Sequence, residues 1–251
     1  MSNDSLNRTN KVKEYAEKFA TLSKDDQKKL IENTIKHFNE NEEIKEESLK
    51  KLFNTFKSNT DKVDVYLKVV ALNKMYNAGL TDNEMTNKVK QEYTKGKKKK
   101  PVNTKLMEEH IVNKNNLFNS NEFSEIIKYI KDFGDEYKSV CSFASKYVFW
   151  TFYVDDNNVE IPIYDSKART LLYYIFKFNE TNKNKYSNYF SYDDKITQNY
   201  FYDYTNYCRA YKKFIEVFGF QNMTYKEADK FLWQYAKDIE KESSKKTAQH
   251  I

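Results

Sequence analysis

A mostly α fold, either one large domain or two small helical lobes, is the class this sequence predicts, and three observations predict the helical class. The 251 residues contain only 4 Gly and 2 Pro, too little turn punctuation for a many-stranded sheet. Long Lys-, Glu- and Asn-rich segments carry apolar residues three and four positions apart, the period of one helix face. Capping residues stand ahead of most of these segments. With 21 Tyr and 18 Phe, the core is expected to be built from aromatic plates more than from Leu and Val.

In chain order, "SKDDQKKLIENTIKHF" opens on Ser23 as N-cap and puts Leu30, Ile31, Thr34, Ile35 and Phe38 on one face. "EESLKKLFNTF" follows as a further helical segment. "TDKVDVYLKVVALNKMYNAG" is the strongest core helix of the first half. Thr60 is its expected cap, Val65, Val69, Leu72 and Met75 its stripe, and Gly79 its stop in the C′ position. "TDNEMTNKVKQEY" reads as a helix after Thr81, and "KGKKKKP", Lys95 to Pro101, as a loop. "TKLMEEHIV" and "NSNEFSEIIKYIKDFG" resume the helical period, the second with Phe123, Ile126, Ile127 and Ile130 on one side and Gly134 at its end. A helix over about Glu136 to Thr151 comes next.

"YVDDNNVEIPIYD" is extended or looped, because Asp156-Asn157-Asn158 signals a turn and Pro162 disfavours helix at Ile161. Asp165 then caps "SKARTLLYYIF", with Ala168, Leu171, Leu172, Ile175 and Phe176 at helical spacing. A polar, aromatic-bearing loop, "NETNKNKYSNYFSYDDK", leads to two closing helices, around "ITQNYFYDYTNYCRAYKKFIEVF" and from Thr224 onward. The expected organisation is a helical region over 1–100 ending in the Lys-rich loop and a second region over 101–251, the two forming one compact unit.

Lys plus Arg exceed Asp plus Glu by 6, which permits a polyanionic partner without requiring one. Cys141 and Cys208 are not in a metal spacing and sit in aromatic helical contexts, so they read as reduced core thiols of an intracellular protein, with no zinc site. The N-terminal stretch MSNDSLNRTN lacks an apolar segment, and no run approaches the roughly 18 apolar residues of a membrane span. A cytoplasmic protein is expected. His37, His110 and His250 have no Ser or Cys partner in a nucleophile motif, and no Gly-rich phosphate loop is present.

The residue that asks for an explanation is Lys146, which lies in "SFASKYVFWTFY", among the least polar stretches of a polar chain. On a helical wheel Val140, Phe143, Ala144 and Tyr147 form one apolar stripe, and Lys146 falls about 110° from its centre. From that edge the amine either snorkels to solvent or lies in a cleft shielded by Phe149 and Trp150. Asp165 follows 19 residues later, at the start of the next helix.

A lysine in a helix, followed at this distance by an Asp in a Pro-hydrophobic-Asp turn that caps the next helix, resembles the core of the helix-hairpin-helix DNA glycosylases, in particular their 8-oxoguanine branch. The stretches that carry the resemblance are "SFASKYVFW" (Ser142 to Trp150) and "PIYDSKARTLL" (Pro162 to Leu172). Against the family pattern, Lys146 takes the position of the nucleophilic lysine and Asp165 that of the catalytic aspartate. Ile163-Tyr164 stands where the family has one Val, Ser142 and Ala144 where it has hairpin glycines, and Lys167 where it has a His. The general look of "P-I-Y-D-S" is also similar to small bacterial proteins of phage-defence neighbourhoods, some of them glycosylase-like and directed at modified phage bases.

The resemblance implies a helix-hairpin-helix core with a cleft between lobes. It also implies a monomer acting on double-stranded DNA without a cofactor or metal, and excision of a modified or damaged base. Asp165 would stabilise the positive charge that builds on the sugar. Lys146, once deprotonated, would attack C1′ and form a Schiff base, which also opens a strand-nicking lyase step. The target base must leave the duplex, and Phe149, Trp150, Phe152 and Tyr153 are candidates to hold it. Ser142, Ser145, Lys167 and Arg169 are candidates for the DNA backbone. Each residue also has a structural reading: the aromatics as core, Asp165 as a helix cap, and the Lys97 to Lys100 run as a solvated loop. The alternative function is a non-catalytic helical module that binds DNA or a protein partner.

Overall fold

The computed structural model describes residues 3–81, 100–120, 122–133, 139–156, 158–181, 197–219 and 223–248. Among them the fold is all-α, as the composition and spacing predict. An isolated parallel bridge joins Thr81 and Asn103. The helices are α1 (Asn3–Thr21), α2 (Lys24–Thr55), α3 (Lys62–Tyr76), α4 (Thr104–Val112), α5 (Phe123–Lys131), α6 (Cys141–Tyr153), α7 (Ser166–Thr181), α8 (Tyr204–Phe218) and α9 (Tyr225–Ala248). No described helix is long and apolar enough to cross a membrane.

Several ends are set by the expected chemistry. Ser23 caps α2 by accepting the Asp26 N–H at 3.2 Å. Thr224 caps α9 in a reciprocal box, taking the Glu227 N–H while the Glu227 carboxylate takes the Thr224 N–H at 2.8 Å. Asp165 Oδ1 accepts the Lys167 N–H at 2.8 Å ahead of α7.

Other ends differ from expectation. The two segments expected over 23–56 are one 32-residue helix, α2. No Pro or Gly interrupts them, and Asn41 and Ser48 donate to the carbonyls four residues back, His37 and Ile44. The cap of α3 is Asp61 rather than Thr60, because a carboxylate can take two N–H groups at once, those of Val63 and Asp64. The helix stops at Asn77, whose φ of 48° is left-handed. Gly79 turns the chain two residues later, at φ 90°. Asn73 fixes that exit, exchanging hydrogen bonds with the backbone of Leu80. The start expected near Glu136 and the stop at Gly134 lie outside the described residues, as do the helix after Thr81, Lys95 to Lys99 and most of the loop before Ile196. The helix expected around "ITQNYFYDY" becomes a 3-10 turn, Tyr200–Tyr202, and α8 starts afresh because Asp203 caps it on the Asn206 N–H.

The chain divides into two compact units, one of residues 1–43 and 164–251 and the other of residues 44–163. The sequence reading placed its boundary at residue 100 instead. In the first unit α1 packs on α7 and α9. Its core is aromatic: the Phe19 ring lies 5.2 Å from Phe218 and 5.4 Å from Phe231, with Phe214 and Tyr235 around it. In the second unit α3 packs on α4 and α6, and α5 on α6. Phe53, Val65, Val69, Leu72, Ile126, Ile127 and Ile130 are buried there.

Candidate functional site

Lys146 belongs to the second unit. The stripe predicted for α6, with Val140, Phe143, Ala144 and Tyr147, is buried. Lys146 does not snorkel outward, since only 3% of its surface is exposed. Its Nζ reaches back one turn to donate to Ser142 Oγ at 2.7 Å and lies 5.2 Å over the ring of Tyr76, the last residue of α3. Lys45 approaches the Tyr76 ring as well, at 4.4 Å. The wheel put Lys146 at the edge of the apolar face, and packing against α3 extends that face over it.

The aromatic run behind Lys146 divides into two pairs. Phe149 and Trp150 are each 1% exposed and contact one another edge to face at 5.4 Å. They are core. Phe152 and Tyr153 are half-buried, Phe152 against Phe123 at 4.8 Å and Tyr153 stacked on Phe149 at 4.8 Å. Of the four aromatics, these two have surface to offer a ligand. Ser145, expected near a DNA backbone, is fully buried, its hydroxyl 3.3 Å from the Ser142 carbonyl. Ser142 is spent on Lys146.

A second buried lysine, Lys68 on α3, escaped the sequence reading. It is 1% exposed and donates to the Ser58 carbonyl and to Asn59 Oδ1, both at 2.8 Å, with the Phe53 and Tyr147 rings 5.5 and 5.4 Å from its amine. Burial lowers its pKa to about 8 from an ordinary 10.5, against an opposing pull from Asp64. Tyr147, also buried, has its hydroxyl pKa pushed well up, first by desolvation and then by Asp64. A signal for Lys68 was present: it stands between Val65 and Leu72, on the stripe that made α3 a core helix.

Asp165 belongs to the first unit, half-buried at the start of α7 and oriented by the Lys167 N–H. Burial pushes the Tyr207 hydroxyl pKa well up, and the negative charges of Asp229 and Asp165 push it further. Lys167 is occupied by an ion pair with Glu240 on α9. Arg169, one turn beyond Asp165, donates from Nη1 to the Tyr164 hydroxyl at 2.7 Å and packs 3.9 Å over the Tyr202 ring. Tyr202 is another residue the sequence reading did not single out.

Cys141 and Cys208 are thiols, and burial lifts Cys208 to about 11. No group of His, Cys, Asp and Glu side chains among the described residues is arranged to hold a metal. His37 Nδ1 lies 3.1 Å from Asp238 Oδ2, and His110 Nε2 lies 2.9 Å from the Tyr129 carbonyl. In neither contact is the partner a Ser or Cys.

Neither the curated proteins nor the solved structures contain a match to this chain. A family model described as HI_0787_N, an N-terminal domain, matches residues 11–155. The match takes in Lys68 and Lys146 and ends before Asp165, and it covers more than half of the 251 residues. The chain therefore belongs to the HI_0787_N family of N-terminal domains.

Proposed function

We propose that the protein is a DNA glycosylase. It acts in the cytoplasm as a monomer on double-stranded DNA, flips out a modified or damaged base and cuts its N-glycosidic bond, with modified phage DNA as the target in a defence role. The observation that carries this reading is the burial of Lys146, whose amine is withdrawn from water and held on a neutral hydroxyl. Desolvation is one of the ways a lysine amine is made nucleophilic. In this reading the amine lone pair bonds to C1′ as the base leaves with the electrons of the C1′–N bond and takes up a proton. The Asp165 carboxylate stabilises the positive charge on the deoxyribose during that step. Its fixed orientation at the α7 cap supports the assignment, because a preorganised carboxylate need not rearrange as charge develops.

Mass spectrometry of bases released from unmodified, oxidised, alkylated and phage-derived modified DNAs tests the proposal. Wild type should release one class of base, and Asp165→Asn should release none while binding DNA at least as well. Lys146→Gln separates lysine attack from attack by water. Absence of release from every DNA, with equal affinity in all three proteins, would sink the enzymatic reading and leave a DNA-binding module.

A further inference from the structure

We infer that Tyr202, backed by Arg169, is a stacking platform for one nucleotide of a DNA strand, beside the turn that holds Asp165. The inference rests on the reading that the chain binds DNA.

Among the described residues Tyr202 is the most exposed tyrosine, at 55%. An exposed aromatic side chain is ordinarily loose, whereas this one has a partner: the Arg169 guanidinium carbon lies 3.9 Å from the ring centroid. The guanidinium is fixed in turn. It donates to the Tyr164 hydroxyl, and that hydroxyl lies 3.4 and 3.5 Å from the Phe201 and Tyr202 carbonyls. Tyr164 itself is buried, edge to face with Tyr207 at 5.1 Å. A buried hydroxyl thus links α7 to the 3-10 turn and sets the guanidinium on the ring. With one face of the ring on Arg169, its large exposure belongs to the opposite face and the edge.

The chemistry of this pair suits a nucleotide better than it suits the packing of the protein. Arg169 makes no ion pair among the described residues, so a cation stays at the surface with N–H groups to spare beyond the one given to Tyr164. A flat ring presents its π-face to a base, and a guanidinium in contact with it presents donors to the adjoining phosphate. Placement follows from the helix. The Arg169 N–H bonds the Asp165 carbonyl at 2.9 Å, so the platform stands one turn from the cap. Lys167, the other basic residue of that turn, is committed to Glu240 and does not compete for the role.

The test is fluorescence anisotropy of a labelled oligo-dT with the full chain at low salt, alongside thermal unfolding of each variant. Tyr202→Ala should weaken binding by about fivefold to a hundredfold, the range for loss of one base–aromatic stack. Tyr202→Trp should keep it. Tyr66→Ala, which removes an exposed tyrosine of the other unit, should change nothing. Unchanged affinity in Tyr202→Ala, or an equal loss in Tyr66→Ala, overturns the platform. Base release by wild type that Tyr202→Ala retains at full kcat and KM overturns it while leaving the glycosylase standing. Loss of affinity in Tyr202→Ala, in a protein that releases no base, keeps the platform and removes the enzyme. No binding of oligo-dT by wild type overturns the platform and leaves the glycosylase, whose substrate is double-stranded, to be decided by base release.

Discussion

Lys68 Nζ and the Tyr147 hydroxyl converge on one atom, Asn59 Oδ1, each donating to it at 2.8 Å. The three residues tie the turn after α2 to α3 and α6 inside the second unit, and the Lys68 side chain among them is 1% exposed. Its pKa of about 8 yields a signed prediction. Between about pH 8 and 10.5 the unfolded chain still holds a proton that the folded chain has released. Unfolding free energy from this residue therefore rises with pH across that window, and the full penalty for burying the charge is present below it. Denaturant unfolding of wild type and Lys68→Met from pH 7 to 10.5 should show wild type gaining on the variant by up to about 3 kcal/mol. A constant difference across that range would mean that Lys68 titrates alike in both states.

At Asp165 the helix cap can be separated from the chemistry. Asp165→Ala removes the acceptor for the Lys167 N–H and should cost about 1 kcal/mol of stability, whereas Asp165→Asn keeps a capping side chain and should cost a few tenths. Thermal unfolding of both variants measures this. An Asn variant that is stable yet releases no base is the pairing the proposed activity requires.

For Lys146 the decisive observation is covalent. An amine that bonds C1′ yields a Schiff base that borohydride reduces to a permanent protein–DNA adduct. Wild type incubated with its substrate DNA should give that adduct on a denaturing gel, and Lys146→Met should not. An adduct that persists in the Met variant would assign the chemistry to another amine, with Lys68 the first to be examined.

Phe19 anchors the first unit through four aromatic rings. Truncating it leaves a cavity that helices on three sides cannot close at once, so Phe19→Ala should lower stability by about 3 to 5 kcal/mol. Phe19→Leu should lose much less. Urea midpoints of the two variants, compared at constant m-value, provide the check.

Much of the helical layout was legible in the residues themselves. The burial of the α6 stripe, the caps at Ser23 and Asp165, the start of the last helix near Thr224 and the non-helical stretch before Pro162 follow from rules that act over a few residues. The misreadings were of the same short range. Thr60 and Asp61 are both competent caps, and only the geometry of the turn, with Ser58 Oγ taking the N–H groups of both, shows which side chain turns inward. The residues between Phe38 and Glu46, which the two expected segments left out, are helical in α2, and no Gly or Pro among them forbids it.

By itself the amino-acid order settled the all-α class, several helix ends and the anomaly of Lys146, because capping and the 3.6-residue period are properties of neighbours along the chain. Tertiary structure alone decided what surrounds each candidate. It sealed Lys146 against Tyr76, put Phe149 and Trp150 in the core, and paired Lys167 with Glu240 across 73 residues. It also joined Tyr147 to Asn59 across 88 residues and brought Tyr202 onto Arg169. Desolvation and hydrogen bonding depend on which atoms lie within a few ångströms, and chain separation carries no record of that.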